Sequence, residues 1–241
     1  MKTKIQTYLL EANQPLWRVH HKAYKAAAFN DSGCGDARFS PLKLATTESQ
    51  RDERDERDER DERDERGEKS EIAVYPTLYA ANQYQDAFAE TIMRKQDSYA
   101  SQPSHQKITE HTLGNYLLSV IHPVKSVLLA DLDGDWVPPI IAAGLKQSQA
   151  DGIYPLLREF ALRLIANNPN IQGLKWCSYQ QGAYGQSAGQ PVYLLINHPN
   201  MSAPIEVAAD RYSTPLLAPG IRDKIKECAM LTRYVLPEHL L

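Results

Sequence analysis

Residues 151–179 read DGIYPLLREFALRLIANNPNIQGLKWCSY, and the change of period inside this stretch sets the fold class. Ile153, Leu157, Phe160, Ala161 and Leu164 recur at helical spacing, which predicts an amphipathic helix from about Asp151, its expected N-cap. Asn167-Asn168-Pro169 ends it. Leu174 to Tyr179 then reads as a strand. A second strand, Val192 to Ile196, follows the turn-rich QQGAYGQSAGQ, and Val127-Leu128-Leu129-Ala130 upstream is a buried strand. Nearer the start, Leu16-Trp17-Arg18-Val19 is a short strand and Asp31 to Asp36 a tight turn. Ile72 to Ala80 is strand-like, with Pro76 implying an edge or a bend. Asn82 to Arg94 is helical, with Tyr84, Phe88 and Ile92 on one stripe, and 96–111 is polar and loop-like. Strands and helices interleave without a regular βαβ rhythm, so the class is α+β rather than a doubly wound sheet.

Between these elements lies an uninterrupted charged run, Arg51 to Arg66, RDERDERDERDERDER, with six Arg, five Asp and five Glu. The whole chain of 241 residues has 27 Lys and Arg against 30 Asp and Glu, so removing the run leaves 21 against 20. Such a near-neutral remainder argues against a nucleic-acid binder. The run repeats every three residues, so a helix would set identical residues at i,i+3 throughout, and these repulsions outnumber the favourable i,i+4 pairs. A solvated loop insertion is the expectation, and deleting Arg51 to Arg66 should leave the soluble yield and the thermal midpoint of the protein unchanged. Aggregation of the deleted protein would make the run structural.

An apolar content of 42% is enough for a sizeable core. Tyr8-Leu9-Leu10 is too short for a signal-peptide core, and no segment approaches the ~20 apolar residues of a membrane span. Cys34, Cys177 and Cys228 are odd in number and far apart, which fits a reducing cytoplasm better than a disulfide framework or a cysteine zinc site.

Several short motifs fall away on their spacing. Gly33-Cys34-Gly35 lacks the third glycine of a dinucleotide fingerprint, and the strand before and helix after it. Asp131-Leu132-Asp133-Gly134-Asp135 has its glycine at position 4 of a calcium loop instead of 6, and Ala142 where the bidentate Glu would be, so it reads as a turn. His20 and His21 alternate faces of a strand and cannot readily share one ion. No metal is expected. Taken singly, Arg18, Arg38, Tyr79, Glu90 and Ser178 are also ordinary: Glu90 lies opposite the Tyr84/Phe88 stripe, where a solvated helix surface is the default, and Ser178 shares a strand face with Trp176.

Together those residues form a pattern. Leu16-Trp17-Arg18-Val19, Gly35-Asp36-Ala37-Arg38-Phe39-Ser40-Pro41, Thr77-Leu78-Tyr79-Ala80-Ala81 leading to Ala87-Phe88-Ala89-Glu90, and Gly173-Leu174-Lys175-Trp176-Cys177-Ser178 resemble the RES domain family in order and spacing. The resemblance covers about residues 16–198 apart from the repeat, within a single domain of 1–241 whose residues 199–241 form a C-terminal extension packed on the core. The family's Gly-Gly-Arg-Trp-Asn-Pro is here Gly-Asp-Ala-Arg-Phe-Ser-Pro, with one added residue before the arginine. The family comprises bacterial toxins that consume NAD and are paired with Xre-type antitoxins. The resemblance implies an ADP-ribosyltransferase-like fold, with two small packed sheets, flanking helices and NAD as substrate in the cleft. It implies Glu90, Arg18 and Ser178 as catalytic residues and Arg18, Arg38, Tyr79 and Ser178 as NAD-binding residues. Water, phosphate or a protein side chain could accept the ADP-ribosyl group, and a binding module that has kept the fold is a further alternative. In the C-terminal extension, Ile221, Ile225, Cys228 and Ala229 share a helical face that either closes the core or offers an antitoxin contact.

Overall fold

The structure is a computed structural model that describes residues 4–34, 37–43, 74–92, 108–146, 152–178, 189–198, 201, 203–210, 212–232 and 236–237. The charged repeat, Gly35-Asp36 and the expected N-cap Asp151 lie outside the described residues, as does most of 96–111. The elements in chain order are β1 (Thr7–Leu10), β2 (Leu16–His21), β3 (Leu42–Lys43), β4 (Val74–Tyr75), β5 (Thr77–Ala81), α1 (Tyr84–Thr91), α2 (Glu110–Gly114) and β6 (Tyr116–Pro123). They continue with β7 (Val127–Asp131), α3 (Pro139–Lys146), α4 (Ile153–Asn167), β8 (Gly173–Cys177), β9 (Pro191–Ile196), β10 (Val207–Ala209), β11 (Thr214–Pro215) and α5 (Pro219–Thr232).

The α+β class holds, with a different sheet arrangement from the expected two small sheets. Among the described residues, nine strands make one hydrogen-bonded sheet in the order β1-β7-β8-β9-β5-β2-β6-β10, with β11 also on β6; β3 and β4 make a separate pair. The sheet is nonetheless nearly divided. β5 and β2 meet at a single pair, Trp17↔Ala81, whereas β2 and β6 pair over six residues and β5 and β9 over five. Beyond Trp17 the two strands part. Among the described residues only β7 and β8 run parallel, and α3 and α4 supply the crossover that a parallel pair requires.

β9 shows how the sheet separates two apolar layers. Val192, Leu194 and Ile196 face the cluster containing Phe88, Leu157, Ala161 and Trp176, while Tyr193 and Leu195 face Leu10, Leu16, Leu78 and Leu129 on the other side. Both faces being covered explains a strand with no polar alternation. Pro76 marks a bend, since it stands between β4 and β5, and β5 itself is interior. The α4 helix begins at Ile153 behind Gly152, whose φ of 95° turns the chain into the helix without a side-chain cap. Ile221, Ile225, Cys228 and Ala229 of α5 are all buried in the larger cluster, and α5 packs on α1.

Candidate active site

The parting of β2 and β5 opens a cleft of about 560 Å³. Arg18 and its neighbours on β2, Thr77 and Tyr79 on β5, and Glu90 and Thr91 at the end of α1 line it. Four consecutive β2 residues, Arg18 to His21, contribute to the wall. Side chains alternate across a strand, so a cleft touched by four in succession runs along the strand's open edge.

Arg18 Nη1 donates to the carbonyls of Ala26 and Ala28, at 2.6 and 2.8 Å. Those two bonds use both hydrogens of Nη1 and hold the guanidinium at the cleft wall. Desolvation lowers its pKa to about 10, so it stays cationic at neutral pH. Two residues on, His20 Nε2 lies 2.9 Å from Ser119 Oγ, and burial together with the nearby Arg18 charge lowers the imidazole's pKa.

Glu90 is not on a solvated helix face. It is 8% exposed, and Asp86, Ala87, Phe88, Ala89 and Glu90 are buried in succession, which no single helix face could achieve. The reason is that α1 is enclosed, by β2, β5 and β9 on one side and by α5 on the other. Within this enclosure Ser178 Oγ donates to Glu90 Oε1 at 3.1 Å, and Arg38 Nη1 lies 3.7 Å from Oε2. Ser178 is fully buried just beyond β8, its N–H donating to the Gln190 carbonyl. Gly189 backs it so closely that a Cβ would stand 1.7 Å from the Ser178 carbonyl oxygen.

Arg38 sits at the corner of a tight turn in which Ala37 and Ser40 exchange backbone hydrogen bonds of 2.9 and 3.3 Å. Three contacts anchor the turn. The Phe39 N–H donates to the Tyr79 hydroxyl at 2.9 Å, Ser40 Oγ pairs with Thr77 Oγ1 at 2.9 Å, and the Phe39 ring packs 5.4 Å from Trp176. Phe39, where the family has Trp, is thus a core residue. A sequence reading misses a fourth support: Arg158 of α4 donates from Nε and Nη2 to the Ala37 carbonyl, at 3.2 and 2.7 Å. A charged residue on an amphipathic helix carries no sign of such a role. Replacing Arg158 by Ala should lower turnover about tenfold through a displaced Arg38, and Lys should restore little because it lacks the fork. Steady-state kinetics with a melting curve checks this; unchanged turnover would separate Arg158 from the site.

Asp86 was also missed, although its place four residues before Glu90 on α1 was a readable signal. Its carboxyl is fully buried with no hydrogen-bond partner among the described residues, the Gln190 amide being near but outside bonding geometry. Desolvation, and then the Glu90 charge, raise its pKa to about 7. The folded chain therefore binds this proton more tightly than the unfolded one, and stability falls as the pH rises from about 4 to about 7. Asp86→Asn should remove that loss, gaining up to roughly 4 kcal/mol over wild type across this window. Thermal midpoints of both proteins at about pH 4.5 and 7.5 test it, and an equal gap at the two values would contradict it.

Asp131 and Asp133 are engaged by protein groups: Lys175 Nζ bonds Asp131 at 3.0 Å and Asp133 at 2.7 Å, and the Cys177 N–H donates to Asp133 at 3.0 Å. No helix among the described residues is long and apolar enough to cross a membrane. Five residues distant in sequence, Arg18, Arg38, Tyr79, Glu90 and Ser178, thus converge where the sheet divides. Searches of the curated proteins and of the solved structures return no match. A family model described as RES domain matches residues 15–214, most of the chain, and the chain therefore belongs to the RES domain family, which is associated with toxin–antitoxin systems.

Proposed function

We propose that this protein degrades NAD by breaking the nicotinamide–ribose bond. The observation that carries the reading is Glu90, a buried carboxylate held between the Ser178 hydroxyl and the Arg38 guanidinium at the wall of a cleft that also receives Arg18. Loss of nicotinamide leaves an oxocarbenium-like ribose. A fixed carboxylate stabilises that cation and accepts a hydrogen bond from a ribose hydroxyl. Ser178 sets the rotamer of Glu90 through Oε1, and the Arg38 guanidinium lies beside Oε2. Arg18, with Nη1 pinned on two carbonyls, turns its remaining donors to the pyrophosphate, which a planar guanidinium bonds through two oxygens. Tyr79 lines the same cleft and offers its ring to the nicotinamide.

On this reading the fold is ADP-ribosyltransferase-like, the halves of the divided sheet corresponding to the two small sheets of that fold. The protein acts in the cytoplasm, and an Xre-type antitoxin holds it in check by covering the cleft. The acceptor is a small molecule, water or phosphate. Incubating purified protein with NAD, with and without phosphate, separates these: ADP-ribose as the product in both identifies water, and a phosphate-dependent ADP-ribose 1-phosphate identifies phosphorolysis. ADP-ribose bound covalently to protein, with no free product, would replace this reading by a protein ADP-ribosyltransferase.

A further inference from the structure

The cleft continues past the reactive residues. From Arg18 to His21 its wall advances three residues along β2, roughly 10 Å at the rise of a strand, and there its lining becomes aromatic. His21 stands between two tyrosine rings, 6.0 Å from Tyr24 and 5.6 Å from Tyr116, and all three line the cleft. Tyr24 is 62% exposed and belongs to neither apolar cluster, so folding does not account for its position. The turn that carries it is nevertheless fixed. The Tyr24 N–H donates to the His21 carbonyl at 3.0 Å, the Lys22 N–H to Asn115 at 2.8 Å, and Lys22 Nζ to Gly114 at 3.1 Å. An exposed ring on an anchored turn loses little freedom when a flat ligand stacks on it.

We propose that the Tyr24, His21 and Tyr116 end of the cleft is a purine subsite, which takes the adenine of a dinucleotide whose pyrophosphate lies against Arg18. The proposal rests on the NAD reading of the cleft. Stacking suits a neutral heterocycle, and the distance along β2 from Arg18 leaves room for the ribose between pyrophosphate and base.

Two substrates and one probe test it on the full-length protein. NAD carries the adenylate, nicotinamide mononucleotide lacks it, and ADP carries it without nicotinamide. Tyr24→Ala should raise KM for NAD about tenfold with kcat unchanged and weaken ADP binding by calorimetry to the same extent. Nicotinamide mononucleotide should be processed as by wild type, and Tyr24→Phe should keep both properties. Wild-type ADP affinity in Tyr24→Ala, no ADP binding by the wild type, or a parallel loss on both substrates would each overturn the subsite. If the wild type releases no nicotinamide while ADP binding still drops in Tyr24→Ala, the reaction is wrong and the subsite stands.

Discussion

Glu90→Gln is expected to lower nicotinamide release from NAD by a factor of about 10²–10³ or more, the range seen when one fixed electrostatic partner of a transition state is removed. The substitution keeps the volume and the acceptor oxygen that meets Ser178 Oγ, so the loss would come from charge and not from a collapsed site. It also removes the charge of the carboxylate that lies 3.7 Å from Arg38, a guanidinium only 2% exposed. A fall in stability is therefore expected beside the loss of activity, and circular dichroism must show that the variant remains folded. A folded Glu90→Gln protein with wild-type turnover would remove Glu90 from the chemistry.

Arg38→Ala has the larger effect on the fold. Removing one member of a buried ion pair costs about 3–5 kcal/mol, because the remaining charge loses solvent and partner together. For a chain of this size that corresponds to a drop in the thermal midpoint of roughly 10 °C. Catalysis should also be lost. Combining Arg38→Ala with Glu90→Gln distinguishes the two effects, since the double variant should regain much of the stability and none of the activity. Additive losses of stability in the double variant would mean that the two groups do not interact.

β2, β5, β7, β8 and β9 were legible because their apolar runs are short and bounded by turn residues, whereas β1 and the eight-residue β6 were not read as strands; α4 was legible at its C-terminus because Pro169 stops it. What the sequence does not carry is the contact between distant parts. That β5 lies between β9 and β2, and meets β2 only at Trp17 and Ala81, depends on pairings between residues far apart in the chain. The burial of Glu90 depends on α5, more than a hundred residues downstream, closing over the second side of α1. Period alone places Glu90 on the solvent side, and it does the same for Arg158. Pro76 was ambiguous for a related reason: a break between two sheets and an edge strand give the same local pattern. The five site residues had no individual signal, and only their order along the chain, set against a family, brought them together.

The central claim is that the cleft where the sheet divides cleaves NAD, and it reduces to one chromatographic measurement. Purified wild-type protein incubated with NAD should produce nicotinamide in step with the loss of NAD, and Glu90→Gln protein at the same concentration should produce almost none. Intact NAD after prolonged incubation with folded wild-type protein, in the presence and absence of phosphate, would contradict it.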